Sequence, residues 1–290
     1  MPSTSLPRRN FLRATLAASL LAGTSTQAAE PEAPPAILID TNAWLGTWPI
    51  RHLPLAEPAA LAKKLAENGV HRAWVSSLDG ILQKDIGDVN ARLARTCEGS
   101  LLFEPIGIVN PTLPNWEADV IACAQQHRMR GLRLIPSYHG YKLDDPRFVA
   151  LLELATKHRL AVQLALILED DRTQNAIWRT PAVDVTPLPH ALEAIPGARV
   201  MLLNWTRIIA GKPVVLSLQG TSILFDIAMM EGITGIETTL AELPIERLCF
   251  GSYAPVFYFE SARLKLRESD LTADQLRSIS ETNAQRFLAG

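Results

Sequence analysis

Short apolar runs alternate with amphipathic stretches along almost the whole chain, and that alternation limits the fold more than any other feature. It is the pattern of a parallel sheet whose crossovers are helices. Strands are expected at 37–41, 73–77, 102–109, 131–135, 161–166, 199–204, 223–227 and 248–251. Helical spacing occupies 58–68, 88–97, 116–128, 145–158, 187–195, 233–243 and 272–288. Only the connection from Asn204 to Ser222 lacks a helical pattern. Eight strands with interleaved helices in about 255 residues match an α/β fold of one kind, a single (β/α)8 TIM barrel. An open doubly wound sheet is the alternative, yet no G-x-G-x-x-G follows any of these strands.

Residues 1–30 stand apart from that pattern. Arg8, Arg9 and Arg13 precede an apolar run from Ala14 to Gly23, and small residues lead to Ala28 and Ala29. A cationic start, an apolar run too short to span a bilayer and a small-residue end describe a secretory signal peptide. Arg8-Arg9-Asn10-Phe11-Leu12 resembles the twin-arginine export signal. An uncleaved membrane anchor is the other reading. Residues 31–36 read as a linker, and 37–290 as the barrel. The expectation is therefore an exported protein, periplasmic or extracellular, with no membrane span once processed.

The whole chain has 28 Lys and Arg against 30 Asp and Glu, which leaves no basic excess for nucleic acid. Cys97, Cys123 and Cys249 lie far apart and make neither a disulfide framework nor a thiolate metal site.

In a (β/α)8 barrel the chemistry sits at the C-terminal ends of the strands. Here the first strand runs into Asp40, Asn42, Trp44, Trp48, Arg51 and His52. The fourth contributes Arg133, Tyr138, His139 and Tyr141, and the fifth leads into Glu169, Asp170, Asp171 and Arg172. The sixth ends at Asn204 and Trp205, and the eighth leads to Tyr253, Tyr258 and Glu260. Such a lining suits a planar or polar small molecule held by stacking and hydrogen bonds. Asn42, Trp44, Arg51, Arg133, Asn204 and Trp205 are the substrate-binding candidates. His139, Glu169, Tyr253 and Glu260 are the catalytic ones, because a carboxyl desolvated among aromatic rings can serve as a general acid or base. For Arg133, inside a strand, anchoring a substrate carboxylate and tying an internal acid such as Asp40 are both open. His71, His127, His158 and His190 read as structural. No G-x-S-x-G elbow supports a serine hydrolase. A homo-oligomer stays open.

Four segments carry a resemblance. They are Ile39-Asp40-Thr41-Asn42-Ala43-Trp44, Gly131-Leu132-Arg133-Leu134-Ile135-Pro136, Phe250-Gly251-Ser252-Tyr253-Ala254-Pro255 and Asn283-Ala284-Gln285-Arg286-Phe287. In this order they resemble the amidohydrolase-2 family, metal-dependent barrels that include aminocarboxymuconate semialdehyde decarboxylase. The resemblance implies a hydrolase or a decarboxylase-like lyase. It also implies a metal, usually zinc, at positions occupied here by Asn42, Trp44, Ala165, Asn204 and Tyr253. None of these is a normal ligand for such a metal, so the expectation is a barrel without its metal cofactor. Two functions follow: a metal-free enzyme on a small polar or planar substrate, or an inactive barrel that binds a small ligand or a protein partner.

Overall fold

The β-branched and leucine-rich runs do become the staves of one parallel barrel. We describe a computed structural model of the chain over residues 37–289, residues 171 and 173 excepted. The expected leader 1–30, the linker 31–36 and Asp171 lie outside the described residues. The described part belongs to one compact unit, Ala36–Gly290.

The strands are β1 (Leu38–Leu45), β2 (Val70–Ser77), β3 (Phe103–Pro105), β4 (Gly107–Ile108), β5 (Gly131–Leu134), β6 (Ala161–Ala165), β7 (Val200–Leu203), β8 (Leu224–Asp226) and β9 (Leu248–Cys249). They form two parallel ladders, β1-β2-β3 and β4 through β9 in chain order. The ladders meet at Ile106, whose N–H donates to Val75 O at 2.8 Å. β3 and β4 are thus halves of one stave, the one expected as a single strand over 102–109. Pro105 has no N–H to continue the ladder, which accounts for the interruption. On the other side, Thr41 N donates to Phe250 O at 2.9 Å and Trp44 N to Ala254 O at 2.8 Å. An Ala43–Ala254 bridge lies between them, so the sheet closes on itself. With β3 and β4 counted as one, the nine strands make the expected eight staves.

Helices cover the outside. Several carry their own start signals: Asp85 and Asp145 accept the N–H groups of Asp88 and Arg147, and Thr272 with Gln275 forms a reciprocal cap. Two departures concern helices. The connection after β7, expected to lack one, contains Thr206–Ile209 and Pro213–Gln219. Gly211 separates the two and Pro213 starts the second, so neither is long enough to leave a clear period. The expected closing helix is divided by a π turn, Ser278–Thr282, before Asn283–Ala289.

The apolar core has two parts. One lies between sheet and helices, around Leu132, Leu134, Leu152, Leu164 and Leu202. The other fills the barrel interior, with Ile39, Ile108, Met201 and Cys249. Ala284, Phe287 and Leu288 of the last helix belong to this inner part, and Phe287 stacks on Trp74 at 6.2 Å. The N-terminal face is thereby plugged. No helix among the described residues is long and apolar enough to cross a membrane.

Candidate functional site

Alternation along β5 sends Leu132 and Leu134 outward to the helices and leaves Arg133 inside the barrel. Its guanidinium is fully buried and donates to Gln163 Oε1 at 2.8 Å, Ala43 O at 2.7 Å, Thr41 O at 3.1 Å and Trp74 O at 3.2 Å. The carbonyls of Thr41 and Ala43 are on offer because β1 breaks register between Asp40 and Ala43. The guanidinium also lies 4.7 Å over the Trp44 ring. Burial lowers its pKa to about 9 against the pull of Asp40 and Asp226, so it stays charged at neutral pH. The sequence left two roles open for Arg133, a substrate anchor or a tie to an internal acid such as Asp40; its donors are instead committed to Gln163 and three backbone carbonyls, with Asp40 acting on it only at longer range.

Toward the C-terminal face lies a polar layer built from β1, β7 and β8. Asn42 Nδ2 donates to Asn204 Oδ1 at 3.0 Å and to Asp226 Oδ2 at 2.7 Å, while its Oδ1 accepts from Trp44 Nε1 at 3.1 Å. Asn204 Nδ2 donates to Ile167 O at 2.8 Å, and its backbone N–H to Asp226 Oδ1 at 2.9 Å. Trp205 Nε1 donates to Asp226 O at 2.8 Å. Asp40 accepts the N–H and the hydroxyl of Ser252. Gly251 makes this approach feasible, since a Cβ there would stand 3.0 Å from Asp226 Cβ and 3.1 Å from Asn42 Cβ. Burial raises both acids, Asp226 to about 6.

Asn204 and Tyr253 both have left-handed backbones, φ 57° and 61°. Asn tolerates that region, but a tyrosine there is strained and must be held. The Tyr253 N–H donates to Asn42 O at 2.7 Å, and its buried hydroxyl donates to Leu168 O. Asn42, Asn204 and Tyr253 therefore converge, as staves 1, 6 and 8 of a closed barrel require. Their polar atoms, like those of Trp44 and Trp205, are spent on one another and on the backbone, which leaves none of these substrate-binding and catalytic candidates aimed at solvent.

Above this layer the chemistry changes. Glu169 is 8% exposed, and its Oε2 has no hydrogen-bond partner. Burial raises its pKa; Arg51 and the nearby Trp48 indole partly offset that. Trp48 Nε1 and the Tyr138 hydroxyl are likewise buried without a hydrogen bond of good geometry. Trp48, Tyr138 and Trp178 are in mutual ring contact. Trp178 comes from the segment 166–187, which has neither helix nor strand among its described residues. That segment is fastened by Arg172, which pairs with Asp170 at 2.5 Å and with Glu231 at 2.7 Å.

His139 is buried. Its Nε2 pairs with Gly80 O at 2.9 Å, so that nitrogen carries the proton, and Nδ1 has no partner. Burial lowers its pKa to about 4. Arg51 is exposed and donates to Val256 O at 2.9 Å.

Glu260 requires a correction. It sits on the outer helix Phe259–Glu268 and pairs with Lys64 of the helix Pro58–Glu67, far from the polar layer in kind and exposed to solvent. Phe259 takes the inward position, and one residue further turns Glu260 outward. It is a surface ion pair, not a catalytic acid. Sequence reasoning also missed three contributors. Asp226 and Gln163 were legible as polar residues inside strands, whereas Trp178 lies in an irregular segment with no periodicity to locate it.

No protein-family model matches the chain, and no curated protein matches it in sequence. Solved structures do match in fold. A manganese-bound 5-carboxyvanillate decarboxylase from Novosphingobium aromaticivorans aligns with a TM-score of 0.68 and 14% identity, over 88% of this chain and 98% of its own. The 5-carboxyvanillate decarboxylase of Sphingomonas paucimobilis gives 0.66 and 16%, over 88% and 99%. The 2,6-dihydroxybenzoate decarboxylase from Rhizobium gives 0.64 and 10%, over 86% and 99%. The protein thus has the (β/α)8 fold of these amidohydrolase-2 decarboxylases.

The metal of such relatives does not fit the residues present here. Among the described residues no group of three His, Cys, Asp or Glu converges. Where ligands would stand, Asn42 presents an amide N–H toward Asp226 and Asn204, and a cation would face those hydrogens. Asp226, the one carboxylate in contact with both amides, already has each oxygen occupied. Elemental analysis of the purified protein should find well under one manganese or zinc per chain, and a chelator should leave the melting temperature unchanged; stoichiometric metal with chelator-sensitive melting would overturn that reading. A second expectation concerns Arg133→Lys. An ammonium cannot reach the four acceptors of the planar fork, so urea unfolding should register a loss of about 3–5 kcal/mol. A loss below about 1 kcal/mol would mean that the guanidinium is not what joins the staves.

Proposed function

We propose that this protein is a divergent, metal-free barrel of the amidohydrolase-2 class that binds a small molecule in the outer layer of its mouth, around Glu169. The carrying observation is the contrast between the two layers: the inner one is saturated, and in the outer one buried polar atoms of Glu169, Trp48 and Tyr138 make no hydrogen bond of good geometry, with the Trp48 indole beside Glu169 and Thr180 beside Tyr138 as their nearest partners. Buried polar groups are rarely left in that state unless a ligand or water completes them. Irregular segments as long as 166–187 are uncommon in compact domains and most often serve as lids or binding loops.

A metal-free lyase or hydrolase is the second reading, favoured by the raised pKa of Glu169, which suits a general acid. Both readings predict the same residues. Small molecules that raise the melting temperature of the unaltered protein should bind at least tenfold more weakly to Glu169→Gln and Trp178→Ala, and equally well to Glu260→Gln. Hits unaffected by the first two substitutions would remove the site from the mouth. If a ligand is also converted, and Glu169→Gln abolishes turnover while binding persists, the enzyme reading stands over the binding reading.

We further propose that residues 1–30 direct the chain out of the cytoplasm by the twin-arginine route. Replacing Arg8 and Arg9 by Lys should leave full-length precursor inside the cell, and unchanged delivery would exclude that route.

A further inference from the structure

Resting on the mouth site just proposed, we infer that its ligand carries a positively charged nitrogen with at least one N–H. Three aromatic rings and one carboxylate make up the site's recognition surface. Tyr138 stands nearly perpendicular to both indoles, at 80° and 6.2 Å from Trp48 and at 87° and 5.0 Å from Trp178, while the two indoles are 6.4 Å apart at 30°. Aromatic faces attract cations to within about 6 Å of their centroids, more strongly where water is excluded. Glu169 Oε2 is buried beside them with only the Trp48 indole N–H near it and no hydrogen bond of good geometry, so it still accepts an N–H or O–H and repels an anion.

The surrounding charges do not reverse this preference. Among the described residues Arg51 is the cation that acts on Glu169, and it is exposed, with its guanidinium donating to Val256 O. Arg133 also bears on the mouth, but its donors are committed inside the barrel. Asp170, Arg172, Arg207 and Glu231 are paired with one another along the fastening of the segment that carries Trp178. Among the described residues no converging cations are therefore held ready for a carboxylate or phosphate. A metal ion is a poor occupant of the same place, because among the described residues no group of three His, Cys, Asp or Glu converges there, and two of the neighbouring polar atoms are the donors Trp48 N–H and Tyr138 O–H. An organic ammonium satisfies the carboxylate and the rings together, and an acceptor atom near its nitrogen would satisfy the two donors.

The test compares benzylammonium, benzyl alcohol and benzoate, which share a ring and differ in charge, by calorimetric titration of the full chain at neutral pH. Benzylammonium should bind at least tenfold more tightly than the other two. Glu169→Gln should erase that preference, and Trp178→Ala should weaken whatever binds. If benzoate or benzyl alcohol equals or exceeds the ammonium while Trp178→Ala still weakens binding, the charge assignment fails and the mouth site survives. A preference that persists in Glu169→Gln also overturns the assignment, since the cation would then be held elsewhere. If none of the three binds, the mouth site and the ligand class fall together. The comparison within the unaltered protein decides the charge even where a variant fails to fold.

Discussion

One buried guanidinium organises this barrel. Arg133 comes from β5 and donates to carbonyls of β1 and β2 and to a side chain of β6, so it spans the interior from one ladder to the other. A charge taken out of water costs several kcal/mol and is tolerated only when nearly every donor finds an acceptor and counter-charges stand close. Those conditions dictate much of what surrounds it. β1 must break register to expose two carbonyls, Gln163 must face inward from β6, and Asp40 and Asp226 must lie within Coulombic reach. Removing one partner would leave the rest buried and unsatisfied, which is why the network is all or nothing.

The same logic applies to the polar layer that joins the staves nearer the C-terminal face. A metal joins side chains from distant staves by coordination. Here hydrogen bonds donated by Asn42 and Asn204, two of them accepted by Asp226, join staves 1, 6 and 7, and Tyr253 adds stave 8 through its N–H to Asn42 O. Amides suit this task because each offers a donor and an acceptor and carries no charge to desolvate.

The barrel was legible from sequence because it rests on periodicity. Eight apolar runs with helical spacing between them allow few other arrangements, and closure then brings Asn42, Asn204 and Tyr253 together. What escaped lies below that level of pattern. Pro105 divides a stave that reads as continuous, and the two short helices after β7 are too brief to show a period. Glu260 was assigned to the mouth from its place after the last strand, but the helix begins at Phe259, and a single step around it decides between core and solvent. Asn42, Trp44, Asn204 and Trp205 were correctly located and given too much to do, since sequence says where a side chain starts and not whether its hydrogen bonds are already spent. Trp178 had no pattern to announce it.

These failures share a physical origin that also bears on function. Saturated polar residues stabilise, and polar residues near them that remain unsatisfied cost stability unless something else completes them. Both kinds look alike in a sequence. In the structure they differ: Asn42, Asn204 and Asp226 are paired on every side, and Glu169, Trp48 and Tyr138 are buried with no hydrogen bond of good geometry at Oε2, Nε1 and the hydroxyl. Trp178 packs against Trp48 and Tyr138 in the latter group. His139, Tyr141, Thr206 and Glu237 each also hold a buried atom without a partner, so what sets the Glu169 group apart is that three such atoms are gathered beside Trp178 in a cluster of aromatic rings.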